Sequence, residues 1–370
     1  MAWLPRNLLV TGGAGFIGAN FVHYWLGRYP LAQIVVLDAL TYVGNPANLA
    51  ALSANPRFSF VQADICDQAR VEALLEERAT DTLVHFAAES HVDRSIAGPD
   101  AFVTTNIVGT HALLKACRRV WVDGSRPHRF HHVSTDEVFG SLAAEAPGFS
   151  ERSPYAPNSP YAASKAAADH LVRAYVHTFG LCAVTTHCSN NYGPYQFPEK
   201  LLPLMILNIL RGKPLPIYGD GCNVRDWLHV TDHCAAIDSV LHLGQAGETY
   251  NIGGNNELRN IDLVRELCAV CDQLFAADER IRARFPDAPG ARGHSATELI
   301  SFVADRPGHD RRYAIDASKI RRELGYQPGT SIDAGLRATL RWYLDNEDWW
   351  QAVMDGRYQQ WIATHYPRSV

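Results

Sequence analysis

The stretch NLLVTGGAGFIGANF, residues 7–21, joins an apolar run to a segment in which the apolar residues have helical spacing. Between them lie Gly12, Gly13, Gly15 and Gly18, which fit both G-x-G-x-x-G and G-x-x-G-x-x-G. Glycines at such positions permit a tight turn and let backbone amides approach a pyrophosphate at the helix N-terminus. A glycine turn with a purely structural role has the same pattern, so the surrounding sequence has to decide.

Short β-branched runs alternate with helical segments through the first half of the chain. After residues 7–11, these runs are QIVVLD (33–38), FSFVQAD (58–64), TLVHFAA (82–88), RFHHVST (129–135) and LCAVTTHCS (181–189). Such alternation is typical of a parallel sheet with helices on both faces. We therefore predict an α/β fold with a doubly wound parallel sheet of Rossmann type over residues 1–195, which would bind the dinucleotide.

The pattern changes beyond residue 195, where proline, glycine and asparagine separate short elements. Helical spacing recurs at 230–243, 260–275 and 331–345, whereas the polar segment 276–297 has little periodicity and predicts a solvated surface loop. We expect residues 196–370 to form a smaller mixed α/β substrate lobe, from which some segments return to the main domain.

Composition limits the class of protein. The 370 residues carry a net charge of −5 without a long run of Lys or Arg, which disfavours nucleic acid as a partner. We find no signal-peptide pattern and no run of ~18 apolar residues, so we expect a cytoplasmic protein that does not contact membrane. Of eight cysteines, only Cys268 and Cys271 form a close pair, and no second pair completes a metal site. Reduced thiols and no metal are the expectation.

The acid at the end of the second run bears on the choice of dinucleotide. Asp38 follows Gly18 by twenty residues, where a carboxylate accepts ribose hydroxyls and repels a 2′-phosphate. No arginine follows Asp38 directly, so NAD is favoured over NADP. At the end of the third run, Asp64 fits a cofactor contact and a helix cap equally well.

The segment SPYAASK, residues 159–165, places Tyr161 and Lys165 four residues apart and therefore on one face of a helix. A phenol has a pKa near ~10. An ammonium one turn away and a positive nicotinamide ring would lower this pKa, so that Tyr161 could act as a base. This spacing is also common on protein surfaces, but its position after five strand–helix units favours a catalytic role.

The stretch VSTDEVFG, residues 133–140, sets Asp136 and Glu137 directly after Thr135. Adjacent acids raise one pKa by repulsion, so one group can donate a proton while the other accepts one. Two exposed acids in a helix cap also fit the letters STDE. Because consecutive strand residues point to opposite faces, both acids can address one substrate only if the strand ends by Thr135.

The chain resembles the extended short-chain dehydrogenase/reductase family and, within it, the dTDP-glucose 4,6-dehydratases. The resemblance covers about residues 7–345 and rests on TGGAGFIG, LDALTYVGN, FAAESHVDRS, HHVSTDEVFG, SPYAASK, SNNYGPYQFPEKLLP, PIYGDG, VRDWLHV and DRPGHDRRYAID. It implies a hydro-lyase that converts dTDP-D-glucose to dTDP-4-keto-6-deoxy-D-glucose by NAD-mediated C4 oxidation, loss of water across C5 and C6, and reduction at C6. It also implies a homodimer built on helices near 99–121 and 161–179, and a place in deoxysugar synthesis such as that of rhamnose.

The resemblance also implies roles for individual residues. Tyr161 with Lys165 would deprotonate the 4-hydroxyl, Thr135 would hold the same oxygen, Asp136 matches the acid and Glu137 the base. The matching cofactor contacts are Gly12, Gly15, Phe16, Ile17, Gly18, Asp38, Thr41, Asp64, Ile65, Ala87, Ala88, Thr105, Tyr161, Lys165 and Asn191. The matching contacts to the nucleotide sugar are Ser90, Thr135, Asn190, Lys200, Leu201, Pro216, Tyr218, Arg225, Asn260, Asp305 and His309. The chain departs from the family at Phe139 and His229, where tyrosines are usual.

Three alternatives stay open at this point. A nucleotide-sugar 4-epimerase needs Tyr161 and Lys165 but no acid at Asp136. A 4,6-dehydratase acting on UDP- or CDP-glucose would carry the same catalytic residues. A non-catalytic NAD-binding protein would be expected to have lost part of the set, and this chain retains all of it.

Overall fold

The structure is a computed structural model that describes residues 3–305 and 308–354. Its strands are β1 Asn7–Thr11, β2 Gln33–Asp38, β3 Phe58–Gln62, β4 Thr82–His85, β5 Arg129–Thr135, β6 Ala183–Cys188, β7 Asn190–Tyr192, β8 Leu215–Tyr218, β9 Val224–His229, β10 Thr249–Ile252, β11 Glu257–Arg259 and β12 Ile300–Val303. Its α-helices are α1 Phe16–Arg28, α2 Gln68–Glu77, α3 Val92–Ala97, α4 Asp100–Phe102, α5 Thr110–Cys117, α6 Pro160–Phe179, α7 Leu201–Leu210, α8 Val230–Leu243, α9 Asn260–Ala277, α10 Glu279–Arg284, α11 Ser318–Leu324, α12 Ile332–Asp345 and α13 Glu347–Met354.

The main sheet has the strand order β10-β6-β5-β4-β1-β2-β3. All of its pairings are parallel, from Thr249 opposite Thr185 at one edge to Asp38 opposite Gln62 at the other. The chain order reverses between β1 and β4, and ligands of open α/β sheets bind outside the carboxyl ends of the strands at such a point. The predicted doubly wound parallel sheet is confirmed.

Helices cover both faces of this sheet. On one face, Trp25 of α1 and Val240 of α8 are fully buried in a cluster with β1, β2 and β6. On the other, Leu74 of α2 and Leu113 of α5 are buried with Trp121. Each face thus excludes water from a strand set that is apolar on both sides, which explains the near-continuous Val, Ile and Leu runs of the sequence.

The chain forms two compact units, and each unit is built from three stretches that are separated in the sequence. The first comprises Met1–Asn191, Asn223–Leu258 and Pro307–Gly329, and the second comprises Tyr192–Cys222, Arg259–Arg306 and Thr330–Val370. The segment 223–258 belongs to the first unit because β10 pairs with β6 and α8 packs against α1. The functional division at residue 195 stays a prediction.

In the second unit, β8 pairs with β12 in parallel, and α7 and α12 pack against α9. The segment 276–297 lies here, and its prediction as a surface loop is wrong. It contains α10 and the 3-10 turn Pro289–Arg292. Asp278 caps α10 by accepting a hydrogen bond from the Arg280 amide at 2.9 Å, and the side chain of Phe285 is buried at its end. Tertiary burial thus orders a segment whose sequence has no amphipathic period.

The helices predicted at 161–179, 230–243, 260–275 and 331–345 are confirmed as α6, α8, α9 and α12. The segment predicted at 99–121 is helical too, but it departs from α-geometry at the π-helical stretches Val103–Gly109 and Arg118–Val122. Within residues 3–305 and 308–354, no helix has both the length and the apolar character that a membrane crossing requires.

Candidate active site

The β1–α1 turn leaves a helix N-terminus open for an anion. Gly12 has φ +70°, and a Cβ on it would lie 2.5 Å from the Ala87 amide nitrogen. Gly15 caps α1 without a side-chain hydrogen bond, and the first turn of the helix carries no acid. The amides at this end therefore fit the pyrophosphate of a dinucleotide, since the helix dipole favours negative charge there.

Asp38 ends β2 beside the same turn. Its carboxylate is 8% exposed and accepts hydrogen bonds from the Ala14 and Leu40 amides, each at 2.9 Å. These bonds use two of its roughly four lone-pair positions, so acceptor capacity for a ribose remains. The acceptor at this edge of the sheet therefore fits the ribose hydroxyls of a dinucleotide without a 2′-phosphate.

Apart from Tyr161 and Lys165 of α6, most of the remaining candidates for cofactor contacts in the first unit lie on segments that follow the carboxyl ends of its strands. There are three exceptions: Phe16 and Ile17 begin α1, and Thr105 lies in a π-helical stretch. Those that follow a strand end or lie next to one are Thr41, Asp64, Ile65, Ala87, Ala88 and Asn191. Asp64 does not cap a helix, because its Oδ1 accepts from the Cys66 amide at 2.8 Å while Asp67 caps α2.

Helix α6 carries the tyrosine and lysine into the interior. Ser159 caps it by accepting from the Ala162 amide at 3.1 Å, and Pro160 occupies the first turn. Tyr161 is 8% exposed and Lys165 is 4% exposed, so the pair is not surface decoration. The Lys165 Nζ donates to the Val133 carbonyl of β5 at 2.7 Å, which ties the helix to the catalytic strand.

Burial raises the pKa of the Tyr161 phenol well above its ordinary value, and the charges of Glu137 and Asp136 act in the same direction. A hydrogen bond with Thr135 opposes the rise. We expected the Lys165 ammonium together with the positive nicotinamide ring of NAD to lower this pKa. Desolvation and the two acids, which that expectation left out, act in the opposite direction in the ligand-free protein. The Tyr161 phenol thus has a hydrogen bond with Thr135 and lies within the electrostatic influence of Asp136 and Glu137.

Strand β5 ends at Thr135, as the geometric argument required, and the 3-10 turn Asp136–Phe139 follows at once. The Thr135 Oγ1 accepts from the Glu137 amide at 3.3 Å and donates to Asp136 Oδ1 at 3.4 Å. The turn is therefore capped by Thr135, but the acids are not both exposed. Asp136 is 2% exposed, and its Oδ2 has no partner among the described residues.

Burial raises the pKa of Asp136 well above its ordinary value, and the charges of Glu137 and Asp226 add to the effect. Arg225 and the Thr135 hydroxyl oppose it. Asp226 on β9 is a residue that sequence reasoning missed, although it stands in the quoted stretch VRDWLHV. Its carboxylate is buried and accepts from the Gly254 and Asn256 amides at 2.8 and 2.7 Å.

Candidates for substrate contacts occur in both units. In the first unit, the buried Arg225 donates to the Asp310 carbonyl at 2.9 Å, and its guanidinium lies 4.2 Å from the centre of the Tyr313 ring. The others of that unit are Ser90, Thr135, Asn190 and His309. In the second unit, Lys200 caps α7, Leu201 begins it, Asn260 begins α9, Pro216 and Tyr218 lie on β8, and Asp305 follows β12.

Metal chemistry has no candidate in the described part of the chain, where no group of three or more His, Cys, Asp or Glu side chains is arranged to hold an ion. All eight cysteines are free, and Cys268 and Cys271 are buried in α9.

Known proteins resemble this chain both in sequence and in structure. A family model described as GDP-mannose 4,6 dehydratase matches residues 9–339. A dTDP-glucose 4,6-dehydratase of Neisseria meningitidis serogroup B is 52% identical over 358 residues, which cover 96% of this chain and 98% of the relative. The chain belongs to the dTDP-glucose 4,6-dehydratase family.

Solved structures separate this family from its neighbours. The dTDP-glucose 4,6-dehydratase DesIV from Streptomyces venezuelae, solved with NAD bound, has a TM-score of 0.83 and 48% identity, and the match covers 94% of this chain and 100% of DesIV. A UDP-glucuronic acid 4-epimerase from Bacillus cereus has a TM-score of 0.79 at 28% identity, covering 92% of this chain and 99% of the epimerase. The epimerase shares the fold but is more distant in sequence.

Proposed function

We propose that the protein converts dTDP-D-glucose to dTDP-4-keto-6-deoxy-D-glucose, with tightly held NAD as its cofactor. One observation carries the choice of dehydratase over epimerase. A strand that ends at Thr135 turns at once, so that the buried Asp136 and the half-buried Glu137 directly follow the residue whose hydroxyl hydrogen-bonds the Tyr161 phenol, and the charges of both acids act on that phenol. A 4-epimerase has no step that needs this pair of acids.

The first step uses the tyrosine, the lysine and the threonine. Tyr161 takes the proton from the sugar 4-hydroxyl, Thr135 holds the same oxygen, and Lys165 favours the phenolate with its positive charge. NAD, when bound, supplies the redox chemistry, because its nicotinamide accepts a hydride from C4 and returns one to C6. The pKa of Tyr161 is raised in the ligand-free protein, so base action would require the phenolate, which the Lys165 ammonium and the positive nicotinamide ring of bound NAD would stabilise before the 4-hydroxyl proton is taken.

The elimination step uses the two acids. A ketone at C4 makes the C5 proton acidic, so Glu137 can remove it while Asp136 protonates the departing C6 hydroxyl. Asp136 has the environment for the acid, because burial and the charges of two neighbouring carboxylates raise its pKa well above the ordinary value and so favour the protonated form. The C4 oxygen would then face Tyr161 and Thr135, the C5 proton Glu137 and the C6 hydroxyl Asp136.

We propose contacts for both ligands from the residues that match the family. Arg225, Lys200 and His309 suit the diphosphate, because guanidinium binds phosphate oxygens in bidentate fashion and ammonium acts as a point charge. The sugar and base contacts would be Ser90, Thr135, Asn190, Leu201, Pro216, Tyr218, Asn260 and Asp305. NAD would be held by Gly12, Gly15, Phe16, Ile17, Gly18, Asp38, Thr41, Asp64, Ile65, Ala87, Ala88, Thr105, Tyr161, Lys165 and Asn191.

Assembly, compartment and pathway complete the proposal. Ile96, Val103 and Val108 expose apolar side chains on and beside the long helical segment 100–122, which supports a homodimer contact there. Eight free cysteines support a reducing compartment such as the cytoplasm. The net charge of −5 gives no support to nucleic acid as a partner. The keto-deoxy product would feed deoxysugar synthesis, including that of rhamnose.

Turnover of dTDP-glucose without added reductant tests this function. The wild-type protein should form the 4-keto-6-deoxy product, with dTDP-glucose preferred when UDP- and CDP-glucose compete. Asp136→Asn should slow product formation by about 10²-fold or more, the usual contribution of a general acid. Reduced nicotinamide should then accumulate, because C4 oxidation proceeds without water loss.

Glu145→Gln is a matched control, since it makes the same carboxylate-to-amide change at an exposed position nine residues away. It should turn over dTDP-glucose at the wild-type rate. Recovery of unaltered dTDP-glucose from the wild-type protein would reject the dehydratase, and wild-type turnover by Asp136→Asn would favour the epimerase.

A further inference from the structure

Asp169 lies on α6, one turn beyond Lys165, and only 5% of it is exposed. No step of the proposed mechanism uses it. Its two oxygens accept hydrogen bonds from four side chains on three other segments: Oδ1 from His132 Nε2 at 3.0 Å, and Oδ2 from Ser134 Oγ at 3.0 Å, Tyr155 OH at 2.9 Å and His187 Nε2 at 2.9 Å. A buried carboxylate with four donors is a built site rather than a chance contact.

The carboxylate of Asp169 is ionised. Burial opposes its charge, but the hydrogen bonds from His132 and His187 hold the pKa of Asp169 well below its ordinary value. Both imidazoles donate through Nε2, the tautomer that a carboxylate acceptor requires. A negative charge is thus fixed in the protein interior beside the catalytic strand.

A nearby negative charge stabilises the buried ammonium of Lys165. Burial lowers its pKa, and Asp169 acts to raise it. The other titratable groups near the ammonium are His85 on β4, His132 on β5, Cys188 on β6 and Tyr161 on α6. All four are neutral at neutral pH, because burial lowers the pKa of the two imidazoles and raises that of the thiol and the phenol. Asp169 is therefore the counter-charge of Lys165 within this described set.

The same carboxylate also fixes the strand that carries the catalytic hydroxyl. His132 and Ser134 flank Val133, whose carbonyl accepts the Lys165 Nζ, and Ser134 directly precedes Thr135. The hydrogen bonds from His132 and Ser134 to Asp169 therefore hold β5 in a fixed position along α6.

We propose that Asp169 is a positioning residue for C4 oxidation, which keeps Lys165 an ammonium and holds Val133 and Thr135 in register with α6. The proposal rests on the proposed function, because it concerns the proton transfer at Tyr161. It assigns to Asp169 an effect on the pH dependence of oxidation that a merely structural role would lack.

The test is the rate of nicotinamide reduction in a single turnover of the full-length holoenzyme, measured against pH for wild type and Asp169→Asn. The alkaline limb, where Lys165 loses its proton, should move to lower pH by about one unit or more, as expected when an opposite charge is removed. The rate at neutral pH should fall about tenfold or more. The substrate KM should stay within about twofold, since Asp169 hydrogen-bonds none of the proposed substrate contacts and reaches Thr135 only through its neighbour Ser134.

Tyr155→Phe is the matched control. It removes one hydrogen bond from the same carboxylate but leaves the charge, so its alkaline limb should coincide with that of wild type. An unmoved limb in folded Asp169→Asn would overturn the proposal, as would an equal displacement in Tyr155→Phe. If Asp169→Asn does not fold, Ser134→Ala decides, because it cuts one link between Asp169 and β5. A severalfold slower oxidation at unchanged KM is then expected, and a wild-type rate rejects the proposal.

The wild-type arm separates this inference from the function on which it rests. Absence of nicotinamide reduction and product in the wild type would reject the proposed function. Normal wild-type turnover with an unaltered pH profile in Asp169→Asn would reject only the role of Asp169.

Discussion

Two glycines of the β1–α1 turn should respond in opposite ways to the same added methyl group. A Cβ on Gly18 would lie 2.3 Å from the Gly12 carbonyl oxygen and 2.8 Å from the Gly13 Cα, both of them backbone atoms. A Cβ on Gly15 would lie 3.3 Å from the Gly12 oxygen and meet nothing else within 4 Å. Gly18→Ala should therefore disturb the fold, whereas Gly15→Ala should disturb the binding of the cofactor.

The magnitude for Gly18 follows from two opposing terms. Alanine in a helix is favoured over glycine by ~1 kcal/mol. Overpacking costs ~1–3 kcal/mol, and a backbone that must move by about an ångström places this site at the upper end. The net loss is about 2 kcal/mol, which lowers Tm by roughly 2–3 °C for a chain of this length.

For Gly15, the substitution by alanine should have little effect on the stability of the fold. Its φ of −79° and ψ of 178° suit any residue, so the substitution should change the free energy of unfolding by less than ~1 kcal/mol. The methyl group would occupy the space where a pyrophosphate approaches the amides of α1. NAD affinity should fall about tenfold or more, which is ~1.4 kcal/mol.

Thermal unfolding of both nucleotide-free variants, followed by NAD titration, separates these outcomes. Gly18→Ala should lose Tm, and Gly15→Ala should lose affinity at nearly wild-type Tm. Equal losses of Tm in the two variants, with NAD affinity intact in Gly15→Ala, would refute the reasoning from the space around each glycine.

Two further predictions concern stability. Burial lowers the pKa of His132 to about 4 and that of His233 to about 3, so both stay neutral in the folded protein while the unfolded chain takes up protons below its ordinary histidine pKa of ~6.5. Their contribution to stability is full above that pH and is lost as the pH falls toward ~4, so Tm should decline over this range, and a flat Tm would contradict the argument. Arg129→Met should destabilise the fold by about 3 kcal/mol, because the buried guanidinium donates to the Val240, Leu241 and Gly244 carbonyls at 2.8–3.1 Å and these would lose their donor. Urea unfolding measures this, and an unchanged midpoint would contradict it.

The sequence predicted the elements whose signals are local. The run RFHHVST gives β5 over the same seven residues, and the Ser159-Pro160 start of α6 is a cap followed by a proline in the first turn. Hydrophobic period and capping residues act within a few positions, so one chain segment contains enough information to place these elements.

Features set by packing were not predictable in this way. Helix α10 has no buried residue of its own, and its order depends on Phe285 and Ala288 beyond its end. The π-helical stretch Val103–Gly109 shifts the hydrogen-bond register without leaving a period in the sequence. Asp169 reads as an ordinary polar position of a helix, because its four partners come from segments up to 37 residues away.

The roles of the two adjacent acids depend both on the local sequence and on tertiary packing. Their order along the chain is local, and the strand has to end at Thr135 for both to reach one substrate. Which acid keeps its proton is decided by partners distant in sequence, since burial and the Asp226 charge from β9 act on Asp136. Two carboxyl groups of similar intrinsic acidity thereby acquire different environments, one buried and one half-exposed. The assignment of acid to Asp136 and base to Glu137 is thus supported by the burial of Asp136 and by the charge of Asp226 from β9, which the letters STDE do not contain.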